Sequence, residues 1–298
     1  MDFKSGFVAI MGKPNAGKST LLNAILKTKV SIVSPKPQTT RNNIIGILNE
    51  PDCQIVFTDT PGINTANNKL DEFMQKSVNS AKSGVDVVLL CVDGSKGIRK
   101  KEIDFITSFK GTKNLILLVT KTDLTNFEKL YPQLAELNKL DFLKNIIPIS
   151  SFKQRNIDVV ITEIKKCLTD NIKYFADDEY TDKSVRFMVS ELIREKSLWL
   201  LQEEIPHGIA VEVVKFEEND DKINIDADII CEKDSHKQII IGKNGLKIKE
   251  IGTKARLEIE QLVGKKVFLN LFVKVKAGWR NKQSVIADLG YDYKELDK

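Results

Sequence analysis

Cysteine is scarce. Cys53, Cys91, Cys167 and Cys231 are scattered through 298 positions with no CxxC pair and no neighbouring histidine cluster. That sets aside a disulfide scaffold, a zinc ribbon and a dithiol redox centre, and leaves buried, reduced thiols as the expectation. The two histidines, His207 and His236, have no ligand-like spacing. Long apolar runs are missing too. The longest, Val85–Val92, carries Asp86 and ends at Asp93, well short of the ~18 residues a membrane span needs. Phe7–Met11 is too short for the apolar core of a signal peptide, and Lys13 and Lys18 follow at once. A cytoplasmic protein is expected. Peripheral attachment at the inner face of the membrane stays open, with no dedicated segment behind it. No heptads or internal repeats run through the chain, so a monomer is expected.

What is present is ordinary globular material, 42% hydrophobic and 29% charged, enough for two domains with cores of their own. The net charge is +5, but it is unevenly spread. Ala176–Glu232 holds 16 acidic against 6 basic residues, and Lys243–Lys282 holds 11 basic against 3 acidic. A basic block on one folded element suits phosphates, although charge alone equally suits a solvated lysine-rich face.

Through the first ~170 residues, short apolar runs (Phe7–Met11, Ile44–Leu48, Ile55–Phe57, Val85–Val92, Leu115–Val119, Ile146–Ile149) alternate with helical patterns. Six strands with helices between them predict an α/β doubly wound sheet, which binds ligands at its carboxyl edge. An acidic stretch without periodicity over 173–183 reads as a linker. It divides residues 1–172 from 184–298. Beyond it the order becomes α-β-β-α-α-β, an α+β module with a small sheet.

Gly12-Lys-Pro-Asn-Ala-Gly-Lys18-Ser19 fits GxxxxGK[ST] between a strand and a helix, the context a phosphate-binding loop requires. Main-chain N–H groups through Asn15, Ala16 and Gly17 would face the β-phosphate, with Thr20 in the first helical turn. Lys18 would meet the β/γ oxygens and Ser19 would ligate Mg²⁺. Asp59-Thr-Pro-Gly62 follows a strand, so that Asp59 can hold the Mg²⁺ shell and Gly62 can offer an N–H to the γ-phosphate. Thr120-Lys121-Thr-Asp123 follows another. The Asp123 carboxylate can accept from guanine N1–H and N2–H₂, a donor pair adenine lacks. Thr120 stands where most such proteins have Asn, and its hydroxyl can still tie the base loop to the phosphate loop. Ser150-Ser151 can back guanine O6 with a main-chain N–H. Four motifs in this order, each at a strand end, predict a GTPase using GTP, GDP and Mg²⁺, with Lys18 and Gly62 at the reacting phosphate.

In the second module, Gly242-Lys243-Asn244-Gly245 is a GxxG between two helical patterns, preceded by Ile239-Ile240-Ile241. Within the α-β-β-α-α-β order this predicts a type II KH domain holding about four unpaired bases. Lys243 and Lys247 would meet phosphates. Ile239, Ile240 and Ile248 are candidate groove walls, and Trp279 and Arg280 candidate base contacts, with a packed Trp as the equal alternative for the former.

Pro14-Asn15, Pro37-Gln-Thr-Thr-Arg41, Asp59-Thr-Pro-Gly62, Thr181–Phe187 and Val273–Arg280 together resemble the Era family, bacterial ribosome-assembly GTPases of the TrmE–Era–EngA group, over nearly the whole chain. That resemblance implies that Thr40, with Thr39 as the alternative, reaches Mg²⁺ from switch I, and that Asn15 ligates a K⁺ ion. It further implies that the RNA is the 3′ end of 16S rRNA on the small (30S) subunit. Position 63, where many small GTPases carry a water-orienting glutamine, is Ile63. Two other functions stay in play: a GTPase of tRNA modification, and an RNA-binding scaffold whose nucleotide pocket is only structural.

Overall fold

The computed structural model describes residues 3–293 and resolves into two compact units by contact. The first comprises residues up to Ser31, Thr40–Thr65 and Met74–Asp182. Its sheet runs β1 (Lys4–Gly12), β2 (Ile44–Glu50), β3 (Cys53–Asp59), β4 (Val87–Asp93), β5 (Leu115–Thr120) and β6 (Asn145–Pro148) in the spatial order β2-β3-β1-β4-β5-β6. Five strands are parallel, as expected. β2 is not: it pairs antiparallel with β3, Ile47 opposite Val56. Pro51 and Asp52 alone connect the two, and a parallel crossover needs a dozen residues or more.

Both faces of the sheet are covered, which is why its strands read as unbroken apolar runs; all six residues of β5 are buried. One face packs on α1 (Lys18–Leu26) and α5 (Ile157–Lys165), through Leu21, Ile25, Val160 and Ile164. The other packs against α3 (Lys100–Thr107) and α4 (Phe127–Leu137), through Ile106, Leu130 and Leu134. Parallel register (Ile10 beside Asp59, Val92 beside Val119) brings the carboxyl ends of β1, β3, β4 and β5 to one edge, and the motif loops with them.

The stretch expected to be a linker is strapped to this unit. Gln54 accepts from the Tyr174 and Phe175 N–H groups and donates to Phe175 O, Asn49 donates to the carbonyls of Ala176, Asp177 and Glu179, and Ile47 N–H reaches Tyr180 O at 3.0 Å. Edge strand β2 has one unpaired side, and the acidic stretch supplies its missing partners.

The second unit comprises Ile32–Thr39, Ala66–Phe73 and the chain from Lys183 onward. α6 (Val185–Leu200) starts at Ser184, whose hydroxyl accepts from Phe187 N–H. A three-stranded sheet follows, β7 (Ala210–Glu218) antiparallel to β8 (Lys222–Cys231), and β8 parallel to β9 (Lys266–Val275). Between β8 and β9 lie α7 (Asp234–Ile241) and α8 (Leu246–Val263). The inward residues Ile223, Ile225, Ala227 and Ile229 of β8 pack under Ile193, Ile240, Ile251 and Ile259. The order α-β-β-α-α-β is as read from the sequence; a short α9 (Gln283–Asp288) closes the described chain and was not anticipated.

Candidate nucleotide and RNA sites

Ser19 opens α1 and Asp59 ends β3, and the fold brings their oxygens together. Asp59 Oδ2 accepts from Ser19 Oγ at 2.6 Å and from Ser31 Oγ at 2.9 Å; Thr40 Oγ1 lies 2.7 Å from Ser19 Oγ and 3.4 Å from the same carboxylate. Asp59 is fully buried, and its Oδ1 has no hydrogen-bond partner. Hard oxygen donors around an unsatisfied buried carboxylate atom fit a small divalent cation. Of the two candidate threonines it is Thr40 that arrives. The Thr39 hydroxyl donates to Lys36 O, at 2.7 Å.

Lys18 is buried beneath the loop, with Nζ donating to Gly12 O (3.2 Å) and Lys13 O (3.1 Å). Burial pulls its ammonium below the usual lysine range, opposed by Asp59. The Asp59 carboxyl is pushed up by the same desolvation, opposed by Lys18 and the hydroxyls of Ser19, Ser31 and Thr40. Both groups are charged at a cost that an anionic phosphate at one and a metal ion at the other would relieve. Gly62 lies directly against the loop: a Cβ there would stand 2.6 Å from Pro14 Cα, so only glycine permits this approach. Ile63 N–H bonds Gly12 O, and its side chain packs into the apolar core beside β4 and β5, away from any water-orienting role.

At the end of β5, the Thr120 hydroxyl lies 2.9 Å from Ala16 O and 3.2 Å from Val92 O, the tie between base loop and phosphate loop expected of it. Lys121 Nζ bonds Asp93. Asp123 accepts from Ser150 Oγ at 2.6 Å. A cavity of about 380 Å³ opens here, lined by Gly17, Thr20, Thr120, Lys121, Asp123 and Ser151, and also by Leu124 and Phe152. The last two are apolar residues in loops, where sequence patterns carry no burial signal. Ser150 itself is enclosed; its N–H goes to Arg155 O, so of the serine pair only Ser151 faces the cavity.

In the second unit Gly242-Lys243-Asn244-Gly245 makes a tight turn with φ of +71°, +51° and +74° at Gly242, Asn244 and Gly245. A Cβ on Gly242 would sit 2.6 Å from Lys247 Cβ, whereas Gly245 faces open space. Lys243 and Asn244 are exposed; Lys247 is half-buried, 3.7 Å from Glu250. Beside the turn, a groove of about 260 Å³ runs between α8 and β9, lined by Ile248, Lys249, Gly252, Arg256, Leu269 and Asn270 among others. Apolar walls with basic ends suit unpaired bases and their phosphates.

Comparison with known proteins bears on both sites. A family model described as "50S ribosome-binding GTPase" matches residues 7–121, and a KH-domain model matches 204–280. GTPase Era of Clostridium tetani is 45% identical over 97% of this chain and 99% of its own length, and that of Clostridioides difficile is 46% identical over 98% and 100%. The chain belongs to the Era family of GTPases. Two solved structures of Era, one in complex with MgGDPNP and nucleotides 1506–1542 of 16S ribosomal RNA, the other an Aquifex aeolicus variant bound to GDP and AlF4⁻, each match at TM-score 0.93 and 37% identity over 97% of this chain and 99% of theirs.

Against the Era-family expectations, three RNA candidates are corrected. Trp279 is fully buried, its indole N–H donated to Gly208 O and its ring stacked near Tyr291; it is core, because the chain after β9 folds back over it. Ile240 is fully buried under the sheet, whereas Ile239, one residue earlier on α7, is 50% exposed. Arg280 is tied to Glu232. The residues sequence reasoning missed are Lys249, Gly252, Arg256, Leu269 and Asn270: their groove joins a helix to a strand some 20 residues on, and no local pattern marks it.

Proposed function

We propose that this chain binds and hydrolyses GTP with Mg²⁺ at the strand-end site and binds single-stranded 16S rRNA, near its 3′ end, in the groove beside Gly242–Gly245, acting in the cytoplasm in assembly of the 30S subunit. The observation that carries the GTPase half is the meeting of Ser19, Thr40 and Asp59 within 3.4 Å beside buried Lys18. These are the groups that phosphoryl transfer needs, positioned before any nucleotide arrives. Ser19, Thr40 and Asp59 would hold the Mg²⁺, which neutralises charge between the phosphates. Lys18 binds the β/γ oxygens, and Gly62, pressed against Pro14, offers its N–H to the transferred group. Asp123 reads the guanine edge, and Ser150 orients its carboxylate. With Ile63 packed in the core, no side chain at that position orients the attacking water, so intrinsic turnover is slow.

The RNA half rests on the groove and its basic rim, together with the relative seen with rRNA nucleotides. Among the described residues no helix is long and apolar enough to cross a membrane. Calorimetry with GTP and ATP, and GTP turnover with and without a 16S 3′-end oligonucleotide, test the proposal. Expected are GTP binding at least a hundredfold tighter than ATP and turnover stimulated by RNA. Equal binding of the two nucleotides would overturn the base assignment, and absence of turnover under both conditions would favour the scaffold reading.

A further inference from the structure

Leu124 and Phe152 are anomalous. Leu124 is 67% and Phe152 80% exposed, and both line the one side of the cavity where Asp123 would read a base. Neither is adrift. Leu124 sits in the short 3₁₀ turn Thr122–Leu124, anchored by the Thr122 hydroxyl and N–H on Ile149 O. Phe152 rides on a loop pinned at its base by reciprocal Ser150–Arg155 backbone bonds, and inside by Lys153 N–H to Ser150 Oγ at 3.1 Å and Gln154 N–H to Ser151 O. The Ser150 hydroxyl also donates to Asp123. One buried hydroxyl therefore ties the carboxylate that would read the purine to the loop that carries the aromatic ring. Lys153 Nζ lies 5.5 Å from the ring centroid of Phe152, a cation–π arrangement that supports the ring from outside.

Nothing else at this end of the site has much to give the base. The Thr120 hydroxyl has one proton, and the carbonyls of Ala16 and Val92 compete for it. Ser150 N–H is spent on Arg155 O. An exposed phenyl ring and an exposed leucyl group, held rigidly at the mouth of a cavity of base-accommodating size, gain most by covering a flat, apolar-faced ligand.

We infer that Phe152 and Leu124 form an apolar clamp on the faces of the nucleotide base, with Phe152 stacking on the purine while Asp123 selects its edge. This rests on the GTPase reading above and assigns affinity and discrimination to different residues. Stacking has no preference among purines, because every base presents a π-face; the carboxylate alone distinguishes guanine. Loss of the ring should therefore weaken all purine nucleotides by one common factor, leaving their ratios intact and the phosphate subsite untouched.

The test is calorimetric binding of GDP, IDP and inorganic triphosphate to the full chain carrying Phe152→Ala or Phe152→Tyr. For Phe152→Ala, GDP and IDP should each bind about tenfold more weakly, as one lost base–aromatic stack predicts. Triphosphate affinity and melting temperature should not move, since the ring is largely in solvent. Phe152→Tyr should restore GDP binding to within about twofold. The inference is overturned if Phe152→Ala binds GDP as the parent does, if it weakens triphosphate equally, or if it alters the GDP-to-IDP ratio. Failure of the underlying reading would look different: the parent chain would show no preference for GDP over ADP.

Discussion

Thr40 and Thr39 are neighbours with the same side chain, and the structure gives them different work. Thr40 joins Ser19 and Asp59, while Thr39 closes its own loop onto Lys36. Thr40→Ala should therefore lower the GTP turnover rate by about a hundredfold, the scale of losing one preorganised electrostatic contact. GDP affinity should change by much less, because the threonine is needed when the γ-phosphate is present; single-turnover kinetics beside GDP titration would show the split. Thr39→Ala should leave turnover within a few-fold. Asn15 is exposed on the phosphate loop at φ +61°, and the Era-family resemblance gives it a K⁺ ion. Turnover in KCl should exceed turnover in NaCl, and Asn15→Ala should abolish the difference; equal rates in the two salts for the parent would remove the ion from the account.

Elements are fixed to one another by a few polar ties that composition does not announce. Lys165 on α5 reaches Glu50 at 2.6 Å and Asp52 at 2.8 Å, bracing the β2–β3 turn. Glu50, Asp52 and Cys53 cluster as metal ligands might, but the ammonium already fills that role. Its hydrogen bond holds the Asp52 carboxyl below the usual carboxylate range, and desolvation pushes the Cys53 thiol up to about 11. A carboxyl whose folded pKa is depressed contributes stability above its unfolded value, and that stability is lost as pH falls through the folded one. Lys165→Met should thus lower the melting temperature by about 2 °C at neutral pH, and the deficit should shrink as the pH is taken below about 3.8. At the GxxG turn, Gly245 faces open space at φ +74°, a conformation Asp tolerates better than most residues. Gly245→Asp should keep the fold and place a negative charge where phosphate passes, cutting RNA affinity by about tenfold or more at low salt. An electrophoretic titration across ionic strength checks both the loss and its salt dependence.

For the whole molecule the notable fact is which residues group together. Ile32–Thr39 and Ala66–Phe73 flank the metal-binding residues in sequence, yet by contact they belong to the second unit. Within it, Glu195 accepts from Val33 N–H, the Trp199 indole donates to Val33 O, and buried Arg194, paired with Glu191, donates to Thr39 O. The segment that ends one residue before Thr40 is thus built into the unit that carries the RNA groove. A nucleotide that draws Thr40 toward its metal shifts an equilibrium that the groove also senses, and such coupling is reciprocal. RNA affinity should differ by about 5-fold or more between GDP and a non-hydrolysable GTP analogue, and RNA should change affinity for the analogue by the same factor. Identical affinities in the two nucleotide states would rule the coupling out.

By itself the sequence determined the sheet edge that binds nucleotide, the four motif loops on it and the α-β-β-α-α-β module. Each is written in contiguous residues whose backbone needs, such as a strand, a tight turn or a helix start, are local. Only the tertiary structure decided that β2 runs antiparallel, that residues 173–182 strap an open strand edge, and that Trp279 and Ile240 are core while Ile239 is surface. It alone also chose Thr40 over Thr39, drew the RNA groove from α8 and β9, and set Leu124 and Phe152 at the mouth of the base cavity. Those outcomes depend on which distant segment covers a side chain or accepts its proton, and burial and pairing of that kind come into being only when separate parts of the chain meet.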